Sequence, residues 1–113
     1  MHEMSLAEGI LQILEQNSRS QGFARVTRVR LELGRLSHVE PEALAFCFEV
    51  VARDTLAAGA VLELLRVDGQ GWCEECAASV PIDSHYAACP RCGGYRVATT
   101  GGTEMRVKEL EVE

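Results

Sequence analysis

The sequence is short of lysine. Lys108 stands alone beside ten arginines, and the acidic residues outnumber both, leaving a net charge of −6 and a pI of about 5.1. No basic stripe is available for a phosphate backbone, which argues against a nucleic-acid partner. Long apolar runs are also missing: none approaches the ~20 residues of a membrane-spanning helix. No stretch reads as an export signal. The one candidate, Ile10 to Leu14, is interrupted by Gln12, closed by Glu15 and preceded by no basic segment. There is no paired acid/base set and no nucleophile elbow, so an enzyme is not expected. The chain is expected in the cytoplasm, without a membrane span.

What is present fits one small domain carrying an insertion. The 113 residues are 47% hydrophobic, enough for a packed core. Ser5-Leu6-Ala7-Glu8 matches a capping box, and Leu6, Ile10, Ile13 and Leu14 follow at helical spacing. A first helix is therefore expected over 6–18, with residues 1–4 outside it. Residues 25–33 alternate as a half-buried strand, with Val29, Leu31 and Leu33 inward and Arg28, Arg30 and Glu32 outward. Pro41 opens a second helix. Leu44, Cys47, Phe48 and Val51 form its apolar stripe, widened by Phe46 and Val50. Strands follow at 61–67 and 104–112. The expected fold is α+β: two helices packed on a three-stranded sheet, with an inserted four-cysteine, zinc-ribbon-like domain. The expected domains are 1–68 and 69–102, with residues 103–113 completing the first.

The insertion carries four of the five cysteines. Cys73-x-x-Cys76 and Cys89-x-x-Cys92 lie twelve residues apart. Two such knuckles supply four thiolates in a tetrahedron, which suits Zn(II) and leaves no coordination position open, so the site reads as structural. Iron is the chemical alternative, and His85, four residues before Cys89, is a conceivable substitute ligand. Cys47, on the helical stripe, reads as a small buried hydrophobe.

A second constellation is quieter. A free amine at Met1, the backbone amides and the His2 imidazole can close planar chelate rings around one ion, with the Glu3 carboxylate nearby. Planar nitrogen donors favour Cu(II) or Ni(II). Amine and imidazole must lose protons to ligate, so binding should weaken as pH falls. Equally, a histidine near a chain start can be accidental.

The start Met1-His2-Glu3-Met4-Ser5, the helix opening Pro41-Glu42-Ala43-Leu44, and the four cysteines with Cys89-Pro90-Arg91-Cys92-Gly93-Gly94 together resemble the HypA/HybF family. These are nickel-insertion accessory proteins of NiFe hydrogenase maturation. The resemblance covers the whole chain. It implies a metallochaperone rather than an enzyme, with Ni(II) as transient cargo held by Met1, His2 and Glu3. It implies structural Zn(II) on Cys73, Cys76, Cys89 and Cys92. It further implies partnership with a nickel-binding GTPase, delivery to the hydrogenase large-subunit precursor, and in some organisms service to urease maturation factors. The chain has only His85 near the knuckles, which disfavours ligand exchange involving two histidines. The competing reading is a zinc-ribbon module for protein interaction or nucleic-acid binding.

Overall fold

The computed structural model describes residues 2–113. The elements run α1 (Glu3–Gln21), β1 (Val26–Gly34), α2 (Pro41–Ala52), β2 (Val61–Val67), β3 (Gly69–Cys73), β4 (Ala78–Ile82), β5 (Val97–Gly101) and β6 (Met105–Val112). Two three-stranded sheets form, with strand orders β2-β1-β6 and β4-β3-β5. The architecture is α+β, as expected. The chain divides into two compact units. One comprises the chain up to Leu31 with Val39–Leu65 and Val107–Glu113; the other comprises Glu32–His38 and Arg66–Arg106.

In the first unit, α1 and α2 pack on each other. Buried residues come from both helices and β1: Ala7, Ile10 and Leu14; Leu44, Phe48 and Ala52; Val26, Val29 and Leu31. Arg28 and Arg30, outward on β1, sit among carboxylates from both flanking strands. Arg28 pairs with Glu63 at 3.3 Å and Glu111 at 3.1 Å, and Arg30 with Glu63 at 3.1 Å and Glu109 at 2.9 Å. The wet face is thus a cross-strand charge ladder.

The helices differ from expectation in two respects. First, α1 starts at Glu3, with His2 as N-cap and no side-chain cap bond, and Ser5 lies inside the helix. The expected capping box therefore does not form. The Leu6 N–H instead donates to the His2 carbonyl at 3.1 Å. Glu3 supplies the first-turn acid that a helix N-terminus favours. Its carboxylate also accepts the Glu40 N–H at 3.2 Å, which anchors the additional turn to the start of α2. At the other end the helix runs to Gln21 and stops at Gly22, whose φ of 78° is a left-handed C-terminal signal. Second, the buried stripes are narrower than expected: Ile13 is 41% and Phe46 64% exposed. Cys47 is half-buried.

The second unit holds strands that the apolar pattern did not announce. β3 pairs antiparallel with β4, Gly71 opposite Val80 and Cys73 opposite Ala78. It also pairs with β5, Cys73 opposite Val97, with an irregularity at Gln70/Gly71. The inward positions of β3 are Gly69, Gly71 and Cys73. Two of them carry no side chain, so no apolar period appears in the sequence. The glycines are required sterically: a Cβ on Gly69 would run into the Ile82 carbonyl. Gly34 and Gly102 meet similarly, and Gly102 holds φ 84°. The small core is Leu36, Val80, Ile82, Cys73 and Cys89.

Candidate metal centres

The four cysteines converge. β3 ends on Cys73, and the tight turn to β4 brings round Cys76, with Ala77 at φ 50°. The Cys76 N–H donates to the Cys73 sulfur at 3.4 Å. The second knuckle repeats the device. Gly93, at φ 74°, donates to the Cys89 carbonyl at 2.8 Å, the Cys89 N–H to the Gly94 carbonyl at 2.7 Å, and the Arg91 N–H to the Cys89 sulfur at 3.4 Å. The Sγ atoms of Cys73 and Cys92 lie 3.7 Å apart and those of Cys76 and Cys89 3.9 Å. All four lie within 4.8 Å of one another.

That spacing tests the donor set. A tetrahedron of thiolates at a Zn–S distance of ~2.3 Å has edges of about 3.8 Å. The Cys73–Cys92 and Cys76–Cys89 pairs match this edge, so the residues fit such an ion, and the backbone N–H groups are placed to stabilise negative sulfur. Without a dication the thiols compete for ionisation. The Cys92 backbone N–H, aided by that of Arg91, pulls Cys89 down to about 7. The neighbouring Cys92 sulfur, with burial, pushes Cys76 up to about 12. At Cys92 the Gly94 N–H pulls downward, but the Cys73 sulfur and burial outweigh it and the thiol lies above its ordinary value. Chemically, the cluster is a closed four-sulfur metal site. Cys73 and Cys89 are buried, Cys76 is half-buried and Cys92 exposed.

His85 lies beside this site and faces elsewhere. Its Nε2 is 3.1 Å from the Leu36 carbonyl, which can only accept, so Nε2 carries the proton. Nδ1 is 3.4 Å from the Thr99 hydroxyl. The ring stacks on His38 with centroids 5.2 Å apart. No sequence signal pointed to this stack.

At the amino terminus, Met1 lies outside the described residues. His2 is exposed at the N-cap of α1 and its side chain makes no cap bond. Glu3 follows directly, with its carboxylate on the Glu40 N–H. That bond holds the Glu3 carboxyl below the usual carboxylate range. Glu40 itself caps α2, accepting the Glu42 N–H at 3.2 Å. Sequence reasoning did not connect Glu3 with Glu40, which lie 37 positions apart.

A small α+β protein with a four-cysteine metal site on a glycine-rich sheet, and an exposed histidine at its first helix cap, has the features of a metal-handling protein. The chain belongs to the family described as hydrogenase/urease nickel incorporation metallochaperone, HypA, whose profile matches residues 1–112. The family is one of metallochaperones, carriers of metal rather than enzymes. The chain is 58% identical over 113 residues to hydrogenase maturation factor HypA of Albidiferax ferrireducens, covering all of both chains. The same identity and coverage hold for the factor of that name in Dechloromonas aromatica. Its fold matches the solution structure of the Ni metallochaperone HypA from Helicobacter pylori, with a TM-score of 0.73, 24% identity, and coverage of 99% of this chain and 97% of the other.

Proposed function

We propose that this metallochaperone carries Ni(II) at its amino terminus, through Met1, His2 and Glu3, and delivers it to the NiFe hydrogenase large-subunit precursor. Its partners are a nickel-binding GTPase of the maturation pathway and, where urease is made, urease maturation factors. Cys73, Cys76, Cys89 and Cys92 hold structural Zn(II). The zinc-binding domain spans 69–102 and the nickel-binding domain 1–68 and 103–113, working in the cytoplasm.

The observation that carries this reading is the contrast between the two donor sets. The four sulfurs lie within 4.8 Å of one another and would fill an ion's coordination shell, which suits retention. The His2 imidazole is exposed, uncommitted and next to a carboxylate, which suits an ion that must leave again. His2 and an unblocked amine supply adjacent nitrogen donors of the kind that Ni(II) favours. Zn(II) held by the cysteines would supply folding energy to a unit with few aliphatic residues.

The test is calorimetric titration of Ni(II) into wild-type and His2→Ala protein near neutral pH. The variant is expected to lose stoichiometric nickel binding while keeping its zinc content and melting temperature. Unchanged nickel binding by the variant would overturn the assignment. An amino-terminal extension that blocks the amine should reproduce the loss.

A further inference from the structure

The outward side of α2 carries a feature that neither metal site uses. Glu42, Phe46, Glu49 and Arg53 are all exposed and follow one another at spacings of four, three and four, so they form one stripe. Phe46 is 64% exposed, the largest value for any apolar side chain on α2. Folding gains little from a phenylalanine left this far in water, since its hydrophobic contribution scales with the area removed from solvent. Helix formation does not call for it either, because aromatic residues are middling helix formers. The sequence pattern assigned Phe46 to the core, yet Leu44, Phe48 and Ala52 fill that role without it.

Beside the stripe lies a groove of ≈ 290 Å³, lined by Ala45, Ala52, Ala57, Ala60, Leu62 and Glu49 among others. Its walls are mostly small side chains, with polar and apolar surface in nearly equal share. Glu49 borders both the groove and Phe46. The surface therefore offers a projecting aromatic ring, a furrow of small side chains alongside, and a carboxylate on either side of the ring, four residues before it and three after.

We propose that the Phe46 face of α2 is a docking surface for a protein partner that presents an apolar pocket rimmed by lysine or arginine. The ring supplies the anchor, as buried aromatics do at the centres of interfaces. Glu42 and Glu49 select basic rim residues and speed encounter by charge attraction. Trp72, exposed at 43% on β3, makes a useful contrast. Its cross-strand neighbours are Ser79 and Ala98, so nothing charged indicates what would cover it.

This assignment uses no metal ligand and stands or falls separately from the nickel site. The test installs photo-reactive benzoyl-phenylalanine at position 46 of the full-length chain in cells maturing hydrogenase. Irradiation is expected to give one protein adduct, with lysine or arginine flanking the cross-linked residue of the partner. Glu42→Lys combined with Glu49→Lys should abolish it. In parallel, Phe46→Ser should lower hydrogenase activity about ten-fold or more, the loss typical of a central anchor. The purified variant should keep its melting temperature, zinc content and nickel stoichiometry. Absence of an adduct would overturn the proposal. So would an adduct with a second copy of the chain, with lipid or with nucleic acid, an adduct indifferent to the charge reversal, or full hydrogenase activity in a folded Phe46→Ser protein. Should Phe46→Ser fail to fold, the charge-reversal cross-link decides alone.

Discussion

Stripping the metal from the four-cysteine site should unfold the second unit and leave the helical core standing. The aliphatic core of that unit is Leu36, Val80 and Ile82. Full burial of three such side chains contributes about 5–9 kcal/mol. A structural zinc site in a small peptide has an apparent binding free energy of ~10–16 kcal/mol near neutral pH. If Zn(II) is the ion held there, it would outweigh the unit's aliphatic packing, and the three five-residue strands are expected to lose their order without it. The first unit has its own core of Ile10, Leu14, Val29, Leu31, Leu44 and Phe48. The assay is amide hydrogen exchange on the protein before and after chelation, with metal content measured on the same samples. Amides of β3, β4 and β5 should lose protection, while those of α1 and α2 keep it. Persisting protection in β3 after complete metal removal would refute the reasoning.

The same site fixes a pH dependence. Cys76 at about 12 and Cys92 above its ordinary value are both protonated at pH 7. Binding one ion must expel at least these two protons, so affinity should fall steeply as the solution is acidified.

Two further perturbations probe the first unit. Glu3, with its carboxyl depressed by the Glu40 N–H, contributes stability that is present above the unfolded carboxylate pKa and is lost as pH falls through the folded value. Glu3→Gln should therefore narrow its stability deficit in acid, read from urea midpoints across a pH series; identical pH dependence in the two proteins would contradict this. Phe48, 2% exposed, should cost about 3–5 kcal/mol as Phe48→Ala. Phe46→Ala, on the same helix, should stay within about 0.5 kcal/mol. Equal costs in equilibrium unfolding would show that both rings serve the core.

The sequence was most legible where one residue type repeats with fixed spacing. Alternation over β1 foretold which side chains go inward at Val29, Leu31 and Leu33, and the paired Cys-x-x-Cys spacing foretold the sulfur cluster. It was least legible where a contact depends on distant chain. The start of α1 is set by Glu3 reaching Glu40, and a local capping rule pointed to Ser5 instead. The sheet of the second unit was hidden because Gly69 and Gly71 occupy its inward positions, where close packing of backbone replaces side-chain volume. Phe46 was misplaced for the opposite reason: its apolar character was read as burial, although hydrophobic residues on a helix can equally face outward.

The Glu3–Glu40 bond offers a way to ask whether the Glu3 carboxylate ligates nickel. That oxygen accepts the Glu40 N–H at 3.2 Å, in an exposed position. Ligation through that same oxygen would take it from the Glu40 N–H, whereas ligation through the second carboxylate oxygen would leave the bond in place. If the bonded oxygen turns to the metal, the Glu40 N–H exchanges faster once nickel is bound. If the metal uses only the amine, backbone and His2, the bond to Glu40 persists and exchange is unchanged. Ligation by that oxygen thus predicts a nickel-dependent loss of protection at Glu40, abolished in His2→Ala. In Glu3→Ala the Glu40 amide should exchange fast with or without nickel, which calibrates the measurement. Protection at Glu40 that survives stoichiometric loading would remove that oxygen of Glu3 from the ligand set. It would recast Glu3 as a strap, one that ties the metal-binding end to α2 while His2 does the holding.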